Sequence, residues 1–395
     1  MMSGIRAEKW AVRANIVTPE GVLHGGTVIV SGGTIAEVLA PEQPAPSDCP
    51  VIDAGDGWLV PGFIDVHVHG GYGYDFMNAT KEAFDAITQF HGRHGTTGML
   101  ATTVTASKDD VERVLAAADK YVKDADAPYA SLYGVHLEGP FISPKFPGAQ
   151  NPQHIVPPNQ EWIKEWTERF PGVVKMMTLA PETEGALEVI ELASSSGIVC
   201  ACGHTNASYD EMIAAADKGL KHAVHTFNAM KGLHHREPGT VGAVLTEERI
   251  SAEVIADGHH VHPACIKLLT QAKRSGNLLL ITDAMSAAGL GDGDYALGGL
   301  DVTVLSGVAR LTNGGSLAGS TLTMIDAFRF MVYRIGLSIS ETSRLASANP
   351  AKLLGLDTVT GSVAAGKTAD LVLLTPDLRI LGVWRNGNAI HHQIG

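Results

Sequence analysis

The sequence predicts an α/β protein: a TIM-type (β/α)8 barrel carrying a small β-sandwich domain that both chain ends build. Three observations predict it. Through the middle of the chain, eight apolar runs of strand length alternate with segments of helical hydrophobic period. The first sixty residues and the last stretch share a different texture, short β-prone runs broken by Gly, Pro and Asn. The chain has 395 residues, 45% hydrophobic and 18% charged, which is enough for a barrel with a smaller companion and a sizeable core. A doubly wound open sheet is the architectural alternative, because alternation alone does not close a sheet.

At the N-terminal end, KWAVRANIVT, GTVIVSGGTIAEVLA and VIDAGDGWLVPG read as strands, and the Pro-rich APEQPAPSDCP between them as an exposed loop. TADLVLLTPDLRILGVWRNGNAI repeats the pattern at the other end. Residues 1–60 and 359–395 are therefore expected to form the small domain, and 61–358 the barrel. The barrel strands are expected near Phe63–His69, Thr97–Val104, Leu132–Glu138, Val174–Leu179, Ile198–Gly203, Ala223–Thr226, Ala252–Ala256 and Leu278–Thr282. Between most of them lie helical patterns: KEAFDAITQFHGRHG, DDVERVLAAADKYV, GALEVIELASSSG, SYDEMIAAADKG and PACIKLLTQAKRSG.

A formal charge of −13 speaks against a nucleic-acid or anionic-membrane binder, while leaving room for a phosphorylated small molecule met by a few local cations. The four cysteines, Cys49, Cys200, Cys202 and Cys265, make no disulfide framework and suit a reducing compartment. The opening MMSGIRAEKW lacks the apolar run of a leader, and no apolar run is long enough to span a bilayer. A cytoplasmic protein is expected.

In a parallel barrel, chemistry gathers at the C-terminal ends of the strands. The first strand there reads His67-x-His69, the third ends in Glu138, the fifth in His204, the sixth in His225 and the eighth in Asp283. Residues two apart on a strand share a face, so His67 and His69 converge. Four imidazoles and two carboxylates at matching positions suit a divalent ion of the zinc or iron kind, and an Asp beside it can act as a base toward water. Other groups read as structure. Cys200 and Cys202 share parity with His204, but read as buried apolar side chains beneath it. The pairs His234–His235 and His391–His392 read as loop and tail, and His91 and His94 as cations at a helix C-terminus. GDGDYALGG reads as a flexible surface loop rather than a calcium loop, since no closing Glu is present. NGGSLAGSTLT lacks the Lys of a P-loop and reads as a turn against the site, with a helix from about Ser320.

WLVPGFIDVHVHGG resembles the opening signature of the amidohydrolase superfamily, and SANPAKLLGL with GSVAAGKTADLVLL resembles its ending. Within it, HLEGPFISP, GHTNA, HTFNAM, REPG, DGHHV, TDAM and LAGS, running from about Pro61 to Asp370, resemble the N-acetylglucosamine-6-phosphate deacetylase family. The resemblance implies a cytoplasmic homodimer that hydrolyses a phosphorylated N-acetyl amino sugar. It implies Glu138, His204 and His225 as principal metal ligands, His67 and His69 as ligands of a second ion, and Asp283 as catalytic base and metal neighbour. Two divalent ions per subunit follow, zinc first, with iron, manganese or cobalt as substitutes. It also implies Asn228 and Ala229 at the phosphate end of the substrate and Arg236 reaching the phosphate in the neighbouring subunit. His260 contacts substrate in the DGHHV motif, with His259 beside it as the rival, and Leu317, Ala318 and Gly319 form a lining turn.

One departure is Ala149-Gln150, where many members carry a histidine that helps polarise the acetyl carbonyl. A neutral amide can donate a hydrogen bond there but supplies no positive charge, so the ion held by His67 and His69 is expected to take over part of that task. The rival readings are a deacetylase for the galactosamine isomer, a cyclic amidase or D-amino-acid deacylase, and a metal-binding barrel without chemistry. Asp283 speaks against the last, because mere metal storage needs no base.

Overall fold

Eight parallel strands frame the middle of the chain: β1 (Phe63–Asp65), β2 (Thr96–Thr102), β3 (Ser131–Glu138), β4 (Val174–Leu179), β5 (Val199–Cys202), β6 (Leu220–Ala223), β7 (Ser251–Ile255) and β8 (Leu278–Ile281). The structure, a computed structural model, describes residues 9–47, 49–124, 127–273 and 276–392; residues 1–8, on which part of the leader expectation rests, lie outside them. Each strand pairs in parallel with the next in chain order. Residues following β8 then meet residues following β1: Asp283 N donates to His67 O at 2.9 Å, and His69 N to Ala284 O at 2.9 Å. The circle is closed, which excludes the open-sheet alternative. β2 and β8 are buried at every residue, as strands covered on both faces must be.

The five helical patterns form Lys81–Arg93, Lys108–Val122, Ala186–Ser195, Tyr209–Asp217 and Pro263–Lys273. Hydroxyls set three of their starts: Thr80, Ser107 and Ser208 each accept a first-turn backbone N–H, and Ser208 completes a capping box with Glu211. The helix expected from Ser320 starts at Met324, because Thr323 caps it while Ser320 bridges to Ala284 beside β8.

Both chain ends meet in a seven-stranded sheet, in the order Asn388–His392, Ile380–Arg385, Leu371–Leu374, Val51–Pro61, Lys9–Thr18, Gly21–Ser31, Thr34–Leu39. Alternate residues Trp10, Val12, Ala14 and Ile16 pack with Leu371, Leu373 and Trp384 in its core. His391–His392 is thus the last strand rather than a tail: His391 pairs with Val383.

GDGDYALGG also departs from its expectation as a loop. Gly293–Leu297 pairs antiparallel with Leu300–Leu305, which pairs with Val308–Leu311. Gly298 and Gly299 turn the first hairpin with φ of 57° and 79°, the two positive angles that a tight two-residue turn of this hand requires. The small sheet packs on Val104, Met285 and Ala318, and carries Leu297 to the rim of the barrel.

A wholly buried carboxyl pins the seam of the barrel. Asp65 accepts from Thr282 Oγ1 at 2.6 Å, from His67 N at 3.2 Å and from Thr282 N at 3.4 Å. Burial outweighs these bonds and pushes its pKa up to about 7. Asp65→Ala strands these donors in the core and is expected to cost on the order of 3 kcal/mol. Urea unfolding of the two proteins measures the difference; equal midpoints would remove Asp65 from the closure.

Candidate metal centre

All six predicted metal-site side chains converge at the C-terminal mouth of the barrel. Glu138 is their hub. Its Oε1 lies 3.2 Å from His67 Nε2, 3.3 Å from His204 Nε2 and 3.1 Å from His225 Nε2, and its Oε2 lies 3.3 Å from His69 Nε2. Asp283 Oδ1 sits 3.1 Å from His69 Nε2 and 3.6 Å from His67 Nε2. Two donor sets share the hub, His67–His69–Glu138 and Glu138–His204–His225, each with its ligand atoms within 4.8 Å of one another.

The chain leaves regular strand to make this possible. β1 stops at Asp65, so His67 and His69 lie beyond it rather than on it. β6 lies three residues earlier than its apolar run suggested, leaving His225 past its end. His204, His225 and Asp283 hold φ of 48°, 30° and 51°. Left-handed backbone at non-glycine residues costs on the order of 1–3 kcal/mol each, so surrounding packing must hold these side chains in place. The glycines after His67-x-His69 are equally specific: a Cβ on Gly70 would lie 2.2 Å from Tyr74 O, and one on Gly71 2.8 Å from Phe90 Cδ1. The buried His91 donates from Nε2 to Gly70 O at 3.0 Å, and burial lowers its pKa to about 4. It is neutral, so the expectation of a helix-end cation does not hold for it.

The donor atoms fit a divalent ion. His67 Nδ1 donates to Glu253 Oε2 at 2.9 Å and His204 Nδ1 to Phe146 O at 3.1 Å, so that in its neutral, ion-binding form each ring turns the Nε2 lone pair toward Glu138. His67 Nε2 is buried and, although close to two carboxylates, makes no hydrogen bond with them. The Nε2 atoms of His204 and His225 lie 3.2 Å apart over one carboxylate oxygen. Imidazole nitrogens and carboxylate oxygens in this number are what a zinc-like ion takes.

Electrostatics show the same deficit of positive charge. Burial disfavours charge on His69, but Asp283 and Glu138 outweigh it and push its pKa up to about 10. His67 is likewise raised, its burial overcome by Glu253, Glu138 and Asp283. Burial works against the Glu138 carboxylate, yet the charge of His67 beside it holds its pKa well below the ordinary range.

Above the centre lies a cavity of about 500 Å³ lined by His69, Glu138, His204, His225 and Asp283 at its floor. Ala149, Gln150, Asn228, Ala229, His260, Leu317 and Gly319 line it too. His260 reaches it with Nδ1 donating to Asp257 Oδ2 at 2.6 Å, whereas His259 is exposed and outside this lining. Ala318 is buried in the small core beside Val302, between the two residues that line the wall. Gln150 is oriented by both ends: Oε1 accepts from Thr105 N at 2.7 Å and Nε2 donates to Glu138 Oε2 at 2.5 Å. Arg236 stands apart, exposed on a loop, with its guanidinium 2.8 Å from His235 Nε2. Cys200 and Cys202 are buried in the core, and neither joins a metal-ligating group among the described residues.

Sequence reading missed three residues behind the centre. Glu253 accepts a hydrogen bond from His67 Nδ1, Asp65 holds the start of the His-x-His segment, and Glu182 accepts from Thr205 Oγ1 and Asn206 N, each at 2.6 Å, to fix the turn after His204. A carboxylate inside an otherwise apolar strand was the available signal for Glu253.

The profile of the Amidohydrolase family matches residues 58–390. The chain is 39% identical over 375 residues to the N-acetylglucosamine-6-phosphate deacetylase of Bacillus subtilis (strain 168), covering 94% of each. It is 38% identical to the N-acetylgalactosamine-6-phosphate deacetylase of Escherichia coli O157:H7, covering 94% of this chain and 96% of that one. A solved structure of the Mycobacterium smegmatis N-acetyl-D-glucosamine-6-phosphate deacetylase, an aspartate-to-alanine mutant in complex with N-acetyl-D-glucosamine-6-phosphate, superposes with a TM-score of 0.92 at 37% identity. It covers 97% of this chain and all of that one.

In the metal-free protein, protons on His67 and His69 supply the positive charge, and an ion must displace them. His69, raised from 6.5 to about 10, adds stability that is complete below pH 6.5 and lost as pH rises through about 10. Zinc uptake at pH 8 is therefore expected to release protons. Titration calorimetry in buffers of different ionisation enthalpy measures this; heats that do not vary with buffer would contradict it.

Proposed function

We propose, for a chain that belongs to the amidohydrolase family, that it hydrolyses the acetamide of N-acetylglucosamine 6-phosphate to glucosamine 6-phosphate and acetate. The observation that carries this reading is the pair of donor sets sharing Glu138, with Asp283 beside them, at the floor of a cavity sized for a sugar phosphate. The relatives and the substrate-bound solved structure supply the substrate class.

Glu138, His204 and His225 would hold one divalent ion and His67, His69 and Glu138 a second, with zinc favoured by the donor set. Bound there, such an ion lowers the pKa of water from about 15.7 toward about 7 and polarises the acetyl carbonyl. The chain's own groups do the rest. Asp283, which lines the cavity, accepts the proton of the attacking water and returns it to the departing amine. Gln150 has one amide hydrogen on Glu138, and its other is left to meet the acetyl oxygen as charge develops there. Asn228, Ala229 and His260 line the cavity and are assigned to the sugar phosphate, with Leu317 and Gly319 as its wall.

Arg236 is absent from the lining of its own cavity and exposed on its loop, which supports its role in a neighbouring subunit's site and hence a homodimer. A cytoplasmic location is supported by cysteine usage, four in 395 residues with no disulfide framework.

Acetate release from N-acetylglucosamine 6-phosphate, with and without a chelator, tests the function. The 38% identical relative that acts on the galacto isomer makes N-acetylgalactosamine 6-phosphate the necessary parallel substrate. Turnover of the gluco compound that stops on chelation is expected, and Asp283→Asn should lower kcat by at least about 10²-fold with substrate still bound. Faster turnover of the galacto isomer would reassign the substrate. Arg236→Ala should raise KM for the phosphorylated sugar with little change in kcat. A fall in kcat at constant KM would remove it from phosphate binding.

A further inference from the structure

Behind the centre, on β7, Glu253 is wholly buried and spends both oxygens on the site. Oε2 accepts His67 Nδ1 at 2.9 Å and the backbone N–H of His225 at 3.0 Å; Oε1 accepts His222 Nε2 at 2.9 Å. His222 is itself anchored, with Nδ1 2.7 Å from Ser251 Oγ. Glu253 does not line the cavity, so it meets neither substrate nor water there.

We propose that Glu253 is the positioning residue that makes His67, His69 and Glu138 a usable second ion position. The proposal rests on the metal-centre reading above. A neutral imidazole has one donor and one acceptor nitrogen, and a carboxylate on one side dictates which is which. Glu253 accepts a hydrogen bond from Nδ1–H, so the lone pair of the neutral ring sits on Nε2, facing Glu138. Its negative charge also raises the basicity of that lone pair, as carboxylates behind ligating histidines do. His204 is different: its Nδ1 is held by a neutral carbonyl, Phe146 O. The two donor sets are therefore built unequally: of the four ligand imidazoles, Glu253 bonds the ring of His67, whereas it meets His225 through the backbone. The same oxygen also receives the His225 backbone, which an amide in its place can still accept.

The experiment is a Zn²⁺ titration of chelator-stripped protein against a competing metal dye, with elemental analysis of desalted samples. Wild type is expected to take two ions per chain. Glu253→Gln, which keeps an acceptor oxygen but loses the charge, is expected to weaken the second ion by about 10–100-fold and leave the first unchanged. Glu253→Met, with no acceptor, is expected to retain one ion. His222→Gln removes the other imidazole from Glu253 without touching His67 and should keep two. Equal weakening of both ions in Glu253→Gln overturns the proposal in favour of a general scaffold role. Two ions at unchanged affinity in both Glu253 variants overturn it outright, and thermal melts of the stripped proteins identify any variant whose loss is a folding failure, for which Glu253→Gln then decides. A wild type that takes fewer than two ions fails earlier, at the two-ion reading itself.

Discussion

The position of Glu138 governs the rest of the structure. One buried carboxylate lies within 3.1–3.3 Å of nitrogens from four histidines that the chain delivers from three separate strand ends. Charges and lone pairs so crowded, and so far from water, are costly unless they are compensated. A cation shared between the two donor sets resolves the conflict. The raised pKa of His69 shows the same demand being met by protons when the side chains are left to themselves.

Holding that arrangement requires a closed barrel. In an open sheet β1 and β8 would be opposite edges, and His67 would lie far from Asp283. Closure instead makes their strand ends neighbours, joined main chain to main chain and pinned by Asp65 on Thr282. Three of the metal-centre residues, His204, His225 and Asp283, then adopt left-handed backbone that their side chains do not favour. Such strain persists where neighbouring structure over-determines the conformation. Here the hydrogen bonds of Glu253 to the His225 backbone and of Ser320 to the Asp283 carbonyl supply that restraint.

The region around the mouth is assembled from parts that belong to no strand of the barrel. Thr105, after β2, orients Gln150, and Gln150 in turn donates to Glu138. The three-stranded sheet at 293–311 contributes Leu297 to the wall. Its glycine pair was visible in the sequence, but pairing partners over so short a polar stretch are set by what they pack against, and that surface is Met285 and Ala318. The same reason explains His91. Helical position marks it as a cation at a helix end, whereas its actual environment, a buried pocket under Gly70, is created by a loop that closes over it.

Local sequence determined the alternation of strands and helices, the helix starts at Thr80, Ser107 and Ser208, the sharing of one sheet by both chain ends, and the identity of the residues at the barrel mouth. Hydrophobic period, capping chemistry and strand-end position are properties of neighbouring residues, so they survive in a string of letters. Closure of the sheet, the tautomer of each imidazole, the orientation of the Gln150 amide and the roles of Glu253 and Asp65 were decided only by tertiary structure. Each depends on hydrogen-bond partners far away in the chain, Glu253 lying 186 residues from His67 and Thr282 lying 217 from Asp65. Contacts at that separation exist only once the barrel has brought the strand ends together.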